Sequence, residues 1–119
     1  MSEMYLRPSE INFSQDSIHR YFRHHEIKMI GETLDDICEG RITIDDIPKI
    51  EVAKHEEKWV TSDNRRLWVF KHLERLGKCA TVCVRIVSIV CPAKLTTKNG
   101  GESIEIRGLP GGSWYLKET

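Results

Sequence analysis

Apolar side chains recur at intervals of three and four in two stretches of the chain, residues 30–40 and residues 64–76. This spacing places them on one face of a helix. A glycine closes each stretch, Gly40 as the last residue of the first and Gly77 directly after the second, as is common where helices end. The pattern therefore predicts two amphipathic helices.

Short stretches in which apolar and polar side chains alternate predict β-strands. Residues 49–54 and 58–61 show this pattern on either side of a polar turn, which predicts a β-hairpin. The run at residues 80–90 is rich in β-branched side chains and predicts a central strand. After an Asn-Gly-Gly turn signal at residues 99–101, residues 102–108 alternate and predict a last strand.

The region before the first helix gives two different signals. Residues 5–13 alternate as in a short strand, whereas residues 14–22 carry apolar side chains at helical spacing behind Ser14, a favourable N-cap. We therefore expect a short helical turn at residues 14–22 and a surface loop at residues 23–28. With the other elements, this predicts an α+β fold, a small mixed β-sheet packed with two or three helices.

The length of 119 residues suits one domain built around one hydrophobic core. We assign residues 1–110 to this domain and residues 111–119 to a C-terminal tail. The tail either docks on the domain through Trp114 and Tyr115 or frays.

Charge and cysteine content narrow the class of protein. The 18 basic and 18 acidic side chains give a net charge of zero, which argues against broad electrostatic binding to nucleic acid or membranes but not against a local basic pocket. The apolar run at residues 82–90 is too short to span a bilayer, and the first residues lack a signal-peptide pattern. We expect a cytoplasmic or nuclear protein in a reducing compartment, with no metal site and with reduced thiols near the core at Cys38, Cys79, Cys83 and Cys91.

Two arginines, Arg65 and Arg66, stand in the first turn of the second predicted helix. On a helical wheel Arg66 falls inside the buried stripe and Arg65 at its edge, which is an unusual place for long cations. A helix N-terminus offers unpaired amides and a partial positive charge, and the guanidinium fork suits phosphate. The pair therefore predicts a phosphate cradle, unless Asp63 caps the helix and pairs with Arg66 instead.

Residues 14–25 offer a second wall for such a site. Gln15, Asp16 and Ser17 are candidates to contact a nucleobase or a metal ion, and aromatic residues stand between basic ones as on nucleic-acid-binding surfaces. The alternative is a capped helical turn followed by a solvated basic loop. The candidates for phosphate contact in this region are Arg20, Arg23, His24 and His25.

Two aspartate pairs have the chemistry for Mg²⁺ or for acid–base catalysis, Asp35 with Asp36 and Asp45 with Asp46. We expect structural roles for both, the first pair in the first turn of the first helix and the second in a connection. Arg85 in the predicted central strand needs a partner, either Asp45, Asp46 or a glutamate of the last strand, unless it reaches the arginine cleft.

Four features follow one another between residues 30 and 90: a helix, a "DDIPKIEV" segment, a hairpin ending in "WVTSDNRRLWVFKHL", and the apolar strand "ATVCVRIV". This order resembles the core of the ParB/sulfiredoxin superfamily, which includes ParB-like nuclease domains. The resemblance implies that fold, with nucleotide or phosphate handling at the start of the second helix. It implies ATP or CTP, with Mg²⁺, as the ligand.

Members of that superfamily carry a short motif with basic residues at this helix start. Arg65 matches the histidine or first arginine of the motif, and Arg66 matches its final arginine. Asn64 stands where sulfiredoxin has its cysteine and partition proteins have a glutamate, while Asp63 replaces a glycine. Peroxiredoxin repair and partition-type CTP hydrolysis are therefore not expected, and Asp63 is expected to hold Mg²⁺ or to orient Arg66.

Two classes of function stay open at this point. The first is a phosphate- or nucleotide-binding domain that performs phosphoryl chemistry, such as nucleotide hydrolysis, phosphotransfer or nuclease cleavage, through Asp63, Arg65 and Arg66. Its ligand contacts would be Ser62, Asn64, Arg65, Arg66, Gln15 and Ser17. The second class is a non-catalytic protein-interaction module that keeps the fold.

Overall fold

The computed structural model describes residues 2–22, 25–88, 95–97 and 99–118, with the backbone alone at residues 25–27. Within these ranges nine strands and two helices follow one another: β1 (Glu3–Leu6), β2 (Ile11–Phe13), β3 (Ser17–His19), β4 (Tyr21–Phe22), β5 (His25–Met29), α1 (Ile30–Cys38), β6 (Glu51–His55), β7 (Lys58–Thr61), α2 (Asn64–Arg75), β8 (Val82–Ile86) and β9 (Glu105–Arg107). The predicted α+β fold with a small mixed sheet and two helices is confirmed at this level.

Five strands form the main sheet in the order β1-β8-β6-β7-β2. β6 and β7 form the predicted antiparallel hairpin, and the turn between them holds Glu56 and Glu57 at positive φ. β8 runs parallel to β6 and antiparallel to β1, and β2 runs parallel to β7. The strand predicted at residues 80–90 therefore lies inside the sheet, with its described part ending at Ile86 and residues 89–90 outside the described residues.

Two short two-stranded ribbons stand beside the main sheet. β3 pairs in parallel with β9, and β4 pairs antiparallel with β5. The helical turn predicted at residues 14–22 is therefore wrong, and so is the loop prediction where β5 begins at His25. Ile18 lies buried on a strand, because β9 supplies a partner that helical spacing in the local sequence does not reveal.

Both helices bury apolar faces in the same core. α1 begins at Ile30, and the Glu32 carboxylate accepts the N–H of the preceding Met29. The aspartates at 35 and 36 therefore lie beyond its first turn, contrary to the prediction. Gly40 and Gly77 adopt positive φ just after the two helices, as predicted. The fully buried side chains of the core include Ile11, Ile30, Leu34, Ile50, Val52, Leu67, Val69, Leu73 and Val84.

The C-terminal turn at Trp114–Leu116 docks on α1 and α2. The Asp35 carboxylate accepts hydrogen bonds from the backbone N–H groups of Ser113 and Trp114, at 2.9 Å each for the nearest oxygen. Arg75 donates to the carbonyls of Tyr115 and Lys117. Of the two alternatives for this segment, docking is therefore the one that the structure shows.

Candidate phosphate-binding cleft

A cleft of about 1400 Å³ opens where the starts of both helices meet the two ribbons. Its lining comes from β3, β4, β9 and residues 62–66. The segment at residues 42–48, the end of β5 and the start of α1 also contribute. The lining residues that sequence reasoning had selected are Gln15, Ser17, Ser62, Asp63, Asn64, Arg65 and Arg66.

Asp63 precedes the first residue of α2, but its side chain does not cap the helix. One carboxylate oxygen accepts the backbone N–H of Glu51 at 2.8 Å. The other accepts Arg66 Nη2 at 2.8 Å. The predicted pairing of Asp63 with Arg66 is therefore present, whereas the predicted cap is not, and the first-turn amides of α2 receive no side-chain acceptor from this residue.

Arg66 is held by the fold. Besides Asp63, it donates through Nη1 to the carbonyls of Pro48 and Lys49, at 3.0 and 2.9 Å. Its side chain is 27% exposed. Arg66 lies on the buried face of α2, and its side chain therefore points toward the segment that leads into β6. The guanidinium lies outside the apolar core, at the end of the helix, as its place on the buried face requires. It donates hydrogen bonds to backbone carbonyls there.

Asn64 is buried at 3% exposure and joins three segments. Its Oδ1 accepts the backbone N–H of Ser14 at 2.8 Å, and its Nδ2 donates to the Ser14 hydroxyl at 3.0 Å. Nδ2 also lies 3.2 Å from Gln15 Oε1 and from the Ser62 carbonyl. The side chain thus fixes the start of α2 to the end of β2, and it orients Gln15 in the cleft wall.

Arg65 lies on the cleft side of the helix start. Its Nη1 donates to the Tyr21 carbonyl at 2.7 Å, which ties α2 to the β4 ribbon. Arg65 thus lines the cleft beside the first turn of α2.

Sequence reasoning missed several charged side chains of the cleft. Arg107 lies opposite His19 in the parallel β3–β9 pair, and its Nη1 donates to the Ser17 hydroxyl at 2.9 Å. Among the described residues no carboxylate lies within ion-pair distance of Arg107. Lys28, by contrast, pairs with Asp36. Nothing in the local sequence signals Arg107, because β9 joins the cleft through pairing with a strand far away in the chain.

Acidic groups around the cleft already have partners. The hydrogen bond from Lys28, with a further one from Arg41, holds the pKa of the Asp36 carboxyl below its usual value. Glu32 accepts the Met29 N–H, and Asp46 accepts the Thr43 N–H. Over the described ranges, no three His, Cys, Asp or Glu side chains come together to hold a metal ion.

Two of the other candidates from residues 14–25 lie outside the cleft. Asp16 does not line the cleft, and Arg20 packs beside Tyr21 and Gly108. Arg23 and His24 lie outside the described residues, as does the side chain of His25. The predicted roles of these last three residues therefore stay predictions.

Two further sequence candidates are part of the fold. His72, expected on the exposed side of α2, is half-buried against Trp68, which lies in the core. Burial, with a smaller effect of Arg75, lowers the pKa of His72 to about 4. Arg85 pairs with Glu3 at 3.6 Å on an exposed face of the sheet, so its predicted partners were wrong.

Comparison with known proteins finds no matching family model, no similar curated protein and no similar solved structure. The ParB/sulfiredoxin resemblance therefore stays a prediction, and the geometry of the cleft carries the functional argument. In the described part of the chain, no helix combines the length and apolar character needed to cross a bilayer.

Proposed function

We propose that this chain is a phosphate-binding domain and that its cleft holds a nucleotide at the start of α2. One observation carries the proposal: the first turn of α2 has no side-chain cap and lines the same cleft as Arg107. First-turn amides without a side-chain cap, and an arginine that has no acidic partner among the described residues, are both suited to phosphate oxygens.

Within this proposal the two arginines of α2 have different roles. Arg66 is a structural residue, because three hydrogen bonds, to Asp63 and to two backbone carbonyls, hold its guanidinium. Arg65 forms the wall beside the helix start and contributes charge to the ligand. Arg107 takes the place in the anion clamp that the sequence had given to Arg66.

The nucleotide is ATP or CTP, as the ParB/sulfiredoxin resemblance implies, and that superfamily relationship is part of the proposal. Mg²⁺ would arrive with the nucleotide, since the Asp63 carboxylate already accepts two hydrogen bonds. Phosphoryl chemistry at Asp63, Arg65 and Arg66 stays a hypothesis beyond binding. A cytoplasmic or nuclear location belongs to the same proposal.

A non-catalytic protein-interaction module is the second candidate. Two of the three predicted catalytic residues, Asp63 and Arg66, are bonded to each other and to backbone, which favours a retained fold without catalysis. The cleft volume of about 1400 Å³ also exceeds the roughly 300–1,000 Å³ typical of small-molecule pockets. A segment of a partner protein would then fill the cleft, which is larger than a nucleotide needs.

Isothermal titration of the full chain with ATP, CTP and inorganic tripolyphosphate, each with and without Mg²⁺, tests the first candidate. We expect a dissociation constant on the order of 10 µM for at least one of them. Arg107→Ala should weaken that binding about tenfold or more, because a charge-assisted contact is lost.

Arg7→Ala is the matched control, since Arg7 is an exposed arginine outside the cleft. It should leave binding unchanged. The proposal is wrong if no polyphosphate binds at about 1 mM, or if Arg7→Ala weakens binding as much as Arg107→Ala does. Absence of binding in a folded chain would favour the interaction module.

A further inference from the structure

Strand β1 forms an open edge of the main sheet. Its one neighbour in the described part of the chain is β8. The opposite edge is different: there Phe13 of β2 donates to the Gly101 carbonyl, so the chain itself covers it. A free strand edge is a template for pairing with another strand.

The register shows which backbone groups of β1 are unpaired. Ile86 donates to the Ser2 carbonyl at 2.9 Å, whereas the Arg85 N–H points the other way, to Ile50 in the segment before β6. Bonded and non-bonded pairs alternate along an antiparallel ladder. The N–H and C=O groups of Glu3 and Tyr5 therefore face away from β8.

These groups are self-complementary. When a second β1 approaches antiparallel with the two Met4 residues opposite each other, each Glu3 faces Tyr5 of the second copy. Each such pair can exchange an N–H···O=C bond in both directions. All outward groups of Glu3 and Tyr5 are then satisfied in both copies.

The side chains of β1 suit the same register. Tyr5 is 70% exposed, one of three large apolar side chains that are so exposed among the described residues. In the paired arrangement its ring lies beside Glu3 and Arg85 of the second copy, and a guanidinium beside an aromatic ring is favourable. The pairing thus covers an aromatic side chain that the single chain leaves in water.

Glu3 does not protect the edge in the way that an edge charge often does. Its carboxylate is paired with Lys49 at 3.1 Å and lies 3.6 Å from Arg85. An inward or edge charge discourages pairing because it would be left without a partner. Here the partners are already present within the chain.

A hollow of about 410 Å³ lies beside Met4, and Ile44, Ile47 and Phe70 are among the residues that line it. The Met4 side chain of a second copy would stand opposite Met4 and next to this hollow. Strand addition commonly combines main-chain bonds with a pocket that receives a side chain.

From these observations we propose that β1 is a self-association surface, on which a second copy of this chain adds its own β1 antiparallel, centred on Met4. The main sheets of the two copies then become continuous. None of the β1 residues lines the cleft, so the strand pairing itself uses no cleft residue. A contact this small belongs to the weak class of interfaces, with an expected dissociation constant on the order of 0.1 mM.

Sedimentation equilibrium of the full chain, at concentrations up to about 1 mM, tests this proposal. The wild-type chain should dimerise, and Tyr5→Pro should raise the dissociation constant about tenfold or more. The Tyr5 N–H faces outward, so proline removes a donor to the second copy and leaves the bonds between β1 and β8 in place.

Leu116→Ser is the matched control, because Leu116 is as exposed as Tyr5, at 70%, but lies in the C-terminal turn. It should dimerise like the wild type. Hydrogen exchange of the wild-type chain gives a readout without mutation: the amides of Glu3 and Tyr5 should become protected at high concentration. A wild-type chain that is monomeric at about 1 mM overturns the proposal, as does a dimer that Tyr5→Pro leaves intact or concentration-independent exchange at these amides.

Discussion

Arg66 donates to Asp63 across the first turn of α2, with Nη2 and Oδ1 2.8 Å apart. Asp63 uses its other oxygen to accept the N–H of Glu51, at the start of β6. The pair therefore joins the second helix to the main sheet. It also orients Asp63 away from the helix amides, which is why the first turn of α2 stays uncapped beside the cleft.

Replacing Arg66 with alanine should lower the free energy of unfolding by about 2–4 kcal/mol. The change leaves two backbone carbonyls and the Asp63 carboxylate without their donor. Urea denaturation followed by circular dichroism measures the effect. Arg7→Ala, which removes an exposed arginine, should change stability little. Equal stability of the two variants would show that Arg66 is not structural.

Asn64→Ala should cost about 2–3 kcal/mol of stability, because the buried Ser14 N–H loses its acceptor. Asn64→Asp keeps that acceptor but loses the donor to the Ser14 hydroxyl and to Gln15. We therefore expect the rate of hydrogen exchange at the Ser14 amide to rise more in the alanine variant than in the aspartate variant. If exchange at this amide is unchanged in both, Asn64 does not hold β2 to α2.

Gly31→Ala should loosen the C-terminal turn and lower stability by about 1–3 kcal/mol. The Gly31 N–H donates to the Pro110 carbonyl at 2.8 Å, and an added methyl group would collide with the Gly111 carbonyl oxygen. Limited proteolysis between residues 108 and 118 reports the loosening.

Gly77→Ala is the control for Gly31→Ala, because it should lower stability without a steric collision at the C-terminal turn. Nothing lies within 4 Å of a methyl group there, but φ is +73°, so alanine is strained at this position. It should lower stability by about 1 kcal/mol without exposing the C-terminal turn. Equal cleavage of the turn in both variants would contradict the proposed contact.

The free energy of unfolding should fall as the pH drops from 6.5 to about 4, because His72 becomes protonated more readily in the unfolded chain. Its pKa is depressed in the folded chain, so in this window the unfolded chain binds a proton that the folded chain excludes. Above pH 6.5 the imidazole is neutral in both states, and below about 4 it is protonated in both. The ring is partly exposed, which makes the effect smaller than for a fully buried imidazole.

His72→Gln removes this titration and keeps a polar group beside Arg75. Urea denaturation at several pH values should show a shallower loss of stability for the variant between pH 6.5 and about 4. Carboxylates with lowered pKa values, such as Asp36 and Glu39, titrate in both proteins and cancel in the comparison. Parallel curves for the two proteins would mean that His72 titrates normally.

The sequence predicted those elements whose pattern is local. Both helices and the β6–β7 hairpin follow from spacing, turn residues and glycine positions close to one another in the chain. Ile18 misled the prediction, because its spacing to Tyr21 and Phe22 fits a helix as well as two short strands. The deciding partner, β9, begins at Glu105, and that pairing cannot be read from a local pattern.

The lining of the candidate site was predicted in part for the same reason. The seven selected residues do line one cleft, and those at positions 62–66 are consecutive in the chain. Gln15 and Ser17 join them through pairing that is distant in sequence, since Asn64 holds the segment after β2 to the start of α2. The structural role of Arg66 depends on hydrogen bonds to the carbonyls of Pro48 and Lys49, and the sequence does not show these contacts. Arg107 went unnoticed because strand pairing brings it to the cleft from the far end of the chain.

An amide chemical-shift titration of the full chain with ATP and Mg²⁺ locates the bound phosphate directly. We expect the largest shifts at the amides of Asn64, Arg65 and Arg66, with further shifts at Ser17 and Arg107. Shifts confined to other surfaces, or no shifts at ligand concentrations up to about 1 mM, would contradict a phosphate site at the start of α2.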